Sequence, residues 1–130
     1  MPEAVHTDEA PSFESFDLPI SQAIIHGDTV YVAGQTGVDP ATGEPVEDDL
    51  EAEARQALEN IAAILEAAGT SFDNVVKATV FIEDMADFDR VNAVYREFVS
   101  EPYPARSAVE VSDLALEFAM EIEVIAAVEP

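Results

Sequence analysis

Residues 54–82, ARQALENIAAILEAAGTSFDNVVKATVFI, decide how this chain folds. The first half repeats with a helical period. Ala54, Leu58, Ile61, Leu65 and Ala68 fall on one face, while Glu51 just upstream, Glu59 and Glu66 face away. Asp48 and Asp49 precede the pattern, where a helix dipole favours anions, and Gly69 comes after it, where a left-handed residue ends a helix. A helix over 48–68 is predicted. The second half changes period: residues 74–82 are β-branched and nearly continuously apolar, which predicts a central strand.

Upstream, QAIIH (22–26) and TVYVA (29–33) surround Gly27-Asp28 and read as a β-hairpin. Residues 34–43 (GQTGVDPATG) read as a loop, and residues 1–18, with Pro2, Pro11 and scattered acids, as a mostly irregular lead-in. Downstream, a second helix is expected over 86–99. Asp84 or Asp87 can cap it, Val91, Val94, Tyr95 and Phe98 line one face, and Pro102 and Pro104 stop it. Residues 106–111 (RSAVEV) and 119–128 (AMEIEVIAAV) close the chain as strands. The order β-β-α-β-α-β-β gives an α+β fold, one domain over 1–130, with both helices on one face of a mixed sheet. The other sheet face then keeps apolar residues, such as Phe81 or Ile82 depending on register, and an uncovered apolar face predicts a closed oligomer.

The chain holds 28 acidic residues against five Lys plus Arg, a net charge of -23, yet 48% of it is hydrophobic, too much for disorder. Such a surface repels nucleic acid and anionic membranes, and Arg55, Lys77, Arg90, Arg96 and Arg106 form no basic run. The dispersed acidic coat is expected to be a halophile adaptation. There is no cysteine, so thiolate chemistry is excluded. No apolar run is long enough to cross a membrane, and the start lacks a basic then apolar leader, so a cytoplasmic protein is expected.

Few residues stand out as chemical. Arg106, in Tyr103-Pro104-Ala105-Arg106-Ser107, enters a strand after a proline-bounded turn. It reads as a bidentate clamp for a substrate carboxylate or, given so many acids, as half of a structural ion pair. In Glu121-Ile122-Glu123, strand alternation puts two carboxylates on one face. Either they line a solvated face, or Glu121 is desolvated and shuttles protons near neutrality. His6, His26 and Lys77 are weaker candidates. No metal-ligand spacing is present, and Gly34 and Gly37 form no phosphate loop.

Several segments together resemble the YjgF/RidA (L-PSP endoribonuclease) family: SQA (21–23), VAGQTGVDPATGE (32–44), ARQALENIAAILEAAG (54–69), NVVKATVFIEDMADFDRVNAVYREF (74–98), PARSAVEV (104–111) and EIEVIA (121–126). The resemblance implies a chorismate-mutase-like domain, a homotrimer with clefts between subunits, and an enamine/imine deaminase. Such enzymes hydrolyse 2-aminoacrylate-type intermediates to 2-keto acids and ammonia, with no cofactor and no metal. It places the carboxylate-gripping arginine on Arg106 and the water-positioning glutamate on Glu121, with Gly34, Asn92, Ser107, Ala108 and Ile20 around the substrate. Where the family usually has P-Y-S-Q or P-Y-V-Q, this chain reads Pro19-Ile20-Ser21-Gln22, and Ile20 cannot donate a hydrogen bond. Arg106 and Glu121 are expected on neighbouring terminal strands, each shifting the other's pKa. A non-catalytic trimer that binds small carboxylates and a ribonuclease are the alternative functions.

Overall fold

The computed structural model describes residues 2–13, 17–46 and 49–128. Asp48, expected to favour the first helix start, lies outside them, as do residues 14–16 of the lead-in. Ten elements occur in this order: β1 (Glu3–Val5), β2 (Ala23–His26), β3 (Thr29–Gln35), β4 (Val38–Asp39), β5 (Glu44–Pro45), α1 (Leu50–Ala67), β6 (Val75–Ile82), α2 (Phe88–Tyr95), β7 (Ala105–Glu110) and β8 (Met120–Ala127). Short 3-10 turns precede β6, α2 and β8.

The main sheet has six strands in the order β1-β2-β3-β8-β6-β7. All its pairs are antiparallel except β6 with β7, so the sheet is mixed, and β8 sits in its middle. Alternation along β8 sends Met120, Ile122, Val124 and Ala126 under the helices, while Glu121 and Glu123 take the other side. In β6 the register leaves Ala78, Val80 and Ile82 in the core and Phe81 on the open side. Leu58, Ile61, Ile64 and Leu65 of α1 are fully buried against this surface, with Val91, Val94 and Tyr95 of α2 beside them. Among the described residues no helix is long and apolar enough to cross a membrane.

The helix ends reflect local chemistry. Asp49 caps α1 by accepting a hydrogen bond from the Glu51 amide, 3.3 Å away. Gly69, at a φ of 86°, ends the helix. The Gly69 amide donates to the Glu66 carbonyl (3.0 Å) and the Thr70 amide to the Leu65 carbonyl (2.9 Å), the paired bonds of a left-handed cap. Asp84 caps the turn before α2 through the Ala86 amide (2.9 Å), whereas Asp87 makes no capping bond and pairs with Arg90 instead. Arg90 also binds Glu51, tying the starts of both helices together and holding the Glu51 carboxyl down to about 2.

Two expectations need correction. The second helix is shorter than 86–99: α2 closes at Tyr95, with Arg96 as its cap, well before Pro102. The apolar period continues to Phe98, but in turns, and the Phe98 ring meets Phe72 at a tilt, 5.6 Å between centroids. The 34–43 loop is not free of structure: β3 runs to Gln35, and β4 pairs with β5 around Gly43, whose φ is 74°. Within the mostly irregular lead-in, Glu3–Val5 form β1, which adds an edge strand to β2. Buried Gln22 anchors the segment between β1 and β2. It accepts from the Thr7 amide (2.8 Å) and donates to the carbonyls of Thr7 (3.0 Å), Ala10 (3.2 Å) and Pro11 (2.8 Å).

Gln22→Leu keeps the volume and strands these backbone groups. It should destabilise by about 1–3 kcal/mol and speed hydrogen exchange at Thr7 more than in α1. Unchanged exchange at Thr7 would show that the strand pairing alone anchors the lead-in.

Candidate functional site

The residues expected in the site divide between two cavities. The larger, about 550 Å³, opens where β3 ends and β8 begins. Ile20, Gly34 and Glu121 line it, with apolar walls from Leu18, Leu116 and Phe118 among others. The smaller, about 320 Å³, lies between α2 and the start of β7 and is lined by Arg106 and Asn92 together with Tyr95, Arg96 and Tyr103. Ser107 and Ala108 line neither. Ser107 is on the open sheet face and accepts a hydrogen bond from Lys77 Nζ (3.1 Å).

Gly34 lets the Glu121 carboxyl lie against the β3 backbone, and any side chain there would displace it. A Cβ there would lie 2.9 Å from Glu121 Cδ and closer still to its carboxylate oxygen. The register of β3 against β8 shifts between Val32 and Gln35, and this bulge brings the glycine backbone against the carboxylate. The wall behind it is fixed from α1. Asn60, fully buried, donates from Nδ2 to the carbonyls of Thr36 (3.3 Å) and Val38 (2.9 Å). Gly37 packs so tightly on Glu53 that a Cβ would meet the Glu53 Cα at 2.7 Å. Buried Glu53 accepts from the Ala119 amide (2.9 Å), just before β8 starts. Sequence reasoning missed Gln22, Glu53 and Asn60. Asn60 and Glu53 fall among the inward positions of α1, and a polar residue there was the available signal.

Arg106 is seated on aromatic rings. Its guanidinium carbon is 4.8 Å from the centroid of Tyr95 and 5.4 Å from that of Phe88. It makes no ion pair among the described residues, whereas Arg55 binds Glu97 (2.8 Å) and Arg90 binds Glu51 (2.9 Å). The structural ion pair expected as its alternative reading is therefore not formed. Tyr95 lies against the same guanidinium. Its hydroxyl is buried without a hydrogen-bond partner, and desolvation holds its pKa up, countered in part by Arg106.

The expectation that Arg106 and Glu121 stand on neighbouring strands is wrong. Strand β6 runs between β7 and β8. Arg106 pairs with Ala78, which is buried under the helices, while Glu121 pairs with Phe81 on the open side. Within one chain the two side chains project from opposite faces. The Glu121 carboxyl is raised above the usual range, first by burial and then by the Glu123 charge, and Arg106 takes no part. His6 bonds Asp8 (3.2 Å), and exposed His26 ends β2; neither lines either of the two cavities.

The raised Glu121 pKa has a consequence for stability. Its neutral form is favoured in the fold, so its contribution is complete below the ordinary carboxylate range and is lost as pH rises through the elevated value. Glu121→Gln, neutral throughout, should therefore raise the melting temperature near neutral pH and leave it almost unchanged below about pH 4. Equal shifts at both pH values would show that the carboxylate is fully solvated.

Known proteins carry the same pattern. The family model described as Endoribonuclease L-PSP matches residues 15–128. A RutC family protein of Pyrococcus horikoshii is 49% identical over 126 residues, spanning 97% of this chain and 98% of that one. The 2-iminobutanoate/2-iminopropanoate deaminase of Bos taurus is 47% identical over 112 residues, 86% of this chain and 82% of that one. The crystal structure of RidA from an Antarctic Psychrobacter superposes with a TM-score of 0.91 at 44% identity, covering 97% of this chain and 99% of that one. With its mixed six-stranded sheet and two helices on one face, the chain belongs to the YjgF/RidA/L-PSP (RutC) family.

Proposed function

We propose that the protein hydrolyses small 2-imino acids and their enamine tautomers to 2-keto acids and ammonia, in a cleft that two copies of the chain complete together. One observation carries this reading: in a chain with 28 acids, Arg106 lines a cavity on an aromatic seat with no carboxylate of the described residues bound to it. A planar guanidinium held this way presents a two-pronged donor to an incoming carboxylate. Relatives named as imine deaminases support the substrate class.

Because Arg106 and Glu121 lie on opposite faces, one chain cannot offer both to one substrate. Tyr31, Val109 and partly buried Phe81 set apolar side chains on the open sheet face among Lys77, Ser107, Glu121 and Glu123, and in the proposed trimer these faces meet so that Arg106, near the outer β7 edge of one copy, reaches the Gly34–Glu121 cavity of the next. There the carboxylate grip orients the imine carbon towards water. Glu121, its proton affinity raised by burial, accepts a proton from the attacking water and returns one to the departing nitrogen. The carbon–nitrogen bond breaks, the water oxygen remains as the carbonyl, and nothing is oxidised or reduced. Ile20 lines this cavity without a hydroxyl, so proton transfer falls to Glu121 and water. RNA cleavage is the weaker reading, since Arg55 and Arg90 are already neutralised by acids.

Arg106→Ala should abolish ammonia release from an imine made in situ by an amino-acid oxidase. Arg106→Lys, which keeps the charge but loses the fork, should lower kcat/KM at least about tenfold. Full activity in both variants would remove the arginine from the site. Ile20→Tyr should raise the rate if a hydroxyl at that wall assists the leaving nitrogen. Light scattering should give about three times 14.0 kDa, and a stable monomer would break the shared-cleft reading. The acidic coat is read as an adaptation to high salt. The thermal midpoint should then fall as salt drops from about 1 M to about 0.01 M, over which the Debye length grows from ~3 Å to ~30 Å. A flat midpoint would refute that adaptation.

A further inference from the structure

We propose that Arg96 gives the Arg106 cavity a second anion-binding point, so that the protein favours 2-imino acids whose side chain carries another carboxylate. This deepens the deaminase reading and rests on it for the chemistry, though not for the binding.

Arg96 stands directly after α2 as its cap residue, and its amide donates to the Asn92 carbonyl (2.9 Å). It therefore lies one helical turn beyond Asn92 on the same side, and both residues line the 320 Å³ cavity that Arg106 enters from β7. Two arginines thus line one cavity, and no acid among the described residues lines it. Neither forms an ion pair among the described residues. The adjacent acid in sequence, Glu97, is turned to Arg55 at 2.8 Å. With 28 acids and only five Lys plus Arg, unpaired arginines are the unexpected arrangement, and here two of them share a cavity.

A second feature of the same cavity points to a ligand. Tyr95, 8% exposed and part of its lining, has a buried hydroxyl with no hydrogen-bond partner. Tyr103, 53% exposed, adds another hydroxyl at the rim. A monocarboxylate uses only one of the two cations. A dicarboxylate satisfies both, with Arg106 holding the carboxylate next to the imine and Arg96 the one on the side chain. Hydrolysis is unchanged by this: water adds to the imine carbon, the carbon–nitrogen bond breaks, ammonia leaves, and both carboxylates remain intact.

The binding test uses inert ligands, succinate against propionate, titrated at constant ionic strength. Succinate should bind about tenfold more tightly. Arg96→Ala should remove that preference, and Arg96→Lys should retain part of it. The kinetic test compares the imine made from D-aspartate by D-aspartate oxidase with that made from D-alanine by D-amino-acid oxidase. The ratio of their kcat/KM values should fall about tenfold in Arg96→Ala. Equal binding of the two acids by the unaltered protein, or a preference that survives Arg96→Ala, overturns the proposal. If neither imine is hydrolysed while the succinate preference still depends on Arg96, the deaminase reading fails and the second carboxylate point stands.

Discussion

Helix α1 is the part against which the rest of the molecule is placed. Its apolar stripe covers the middle of the sheet, and its two buried polar residues fix the backbone at the sheet's end. Glu53 holds the backbone just before β8, and Asn60 holds the segment just after β3. These strands are neighbours, so one helix sets the separation of both cavity walls. Gly37 permits this, because any side chain there would push the loop off the helix. Burying a carboxylate and an amide in a core is costly unless their bonds are met, and here the bonding partners are the backbone of the candidate site. Core packing and site geometry are thus the same set of contacts.

Periodicity made part of the fold legible in the sequence. The 3.6-residue pattern of 54–68 and the alternation of 119–128 each have a single reading, and α1 and β8 match them closely. Elements held by distant partners were hidden. The three residues of β1 carry no pattern of their own and become a strand only because β2 offers an edge and Gln22 ties down the chain behind them. The second helix was over-read because an apolar period continues through Phe98 after the backbone has left α-geometry. Individual site residues were legible as chemistry, but their arrangement was not. Nothing local in PARS or EIEV says that a third strand will run between them, or that Arg106 and Glu121 will face opposite ways.

That separation also orders the electrostatics. Arg106 rests on an aromatic seat, while Glu121 is raised by burial and a neighbouring like charge. Had the two been adjacent, the guanidinium would have pulled the carboxyl down.

The position of β8 has a further consequence for how the chain is made. It is the last strand in sequence order yet lies between β3 and β6, both of which emerge from the ribosome earlier. Until it arrives, the nascent chain has a β2–β3 hairpin and a β6–β7 unit whose inner edges have no partner. Those edges must be held apart, or shielded from other chains, for as long as translation of the intervening residues takes. Closure of the sheet is therefore a late, long-range step, and slow codons just before β8 would lengthen the interval in which the nascent chain can aggregate.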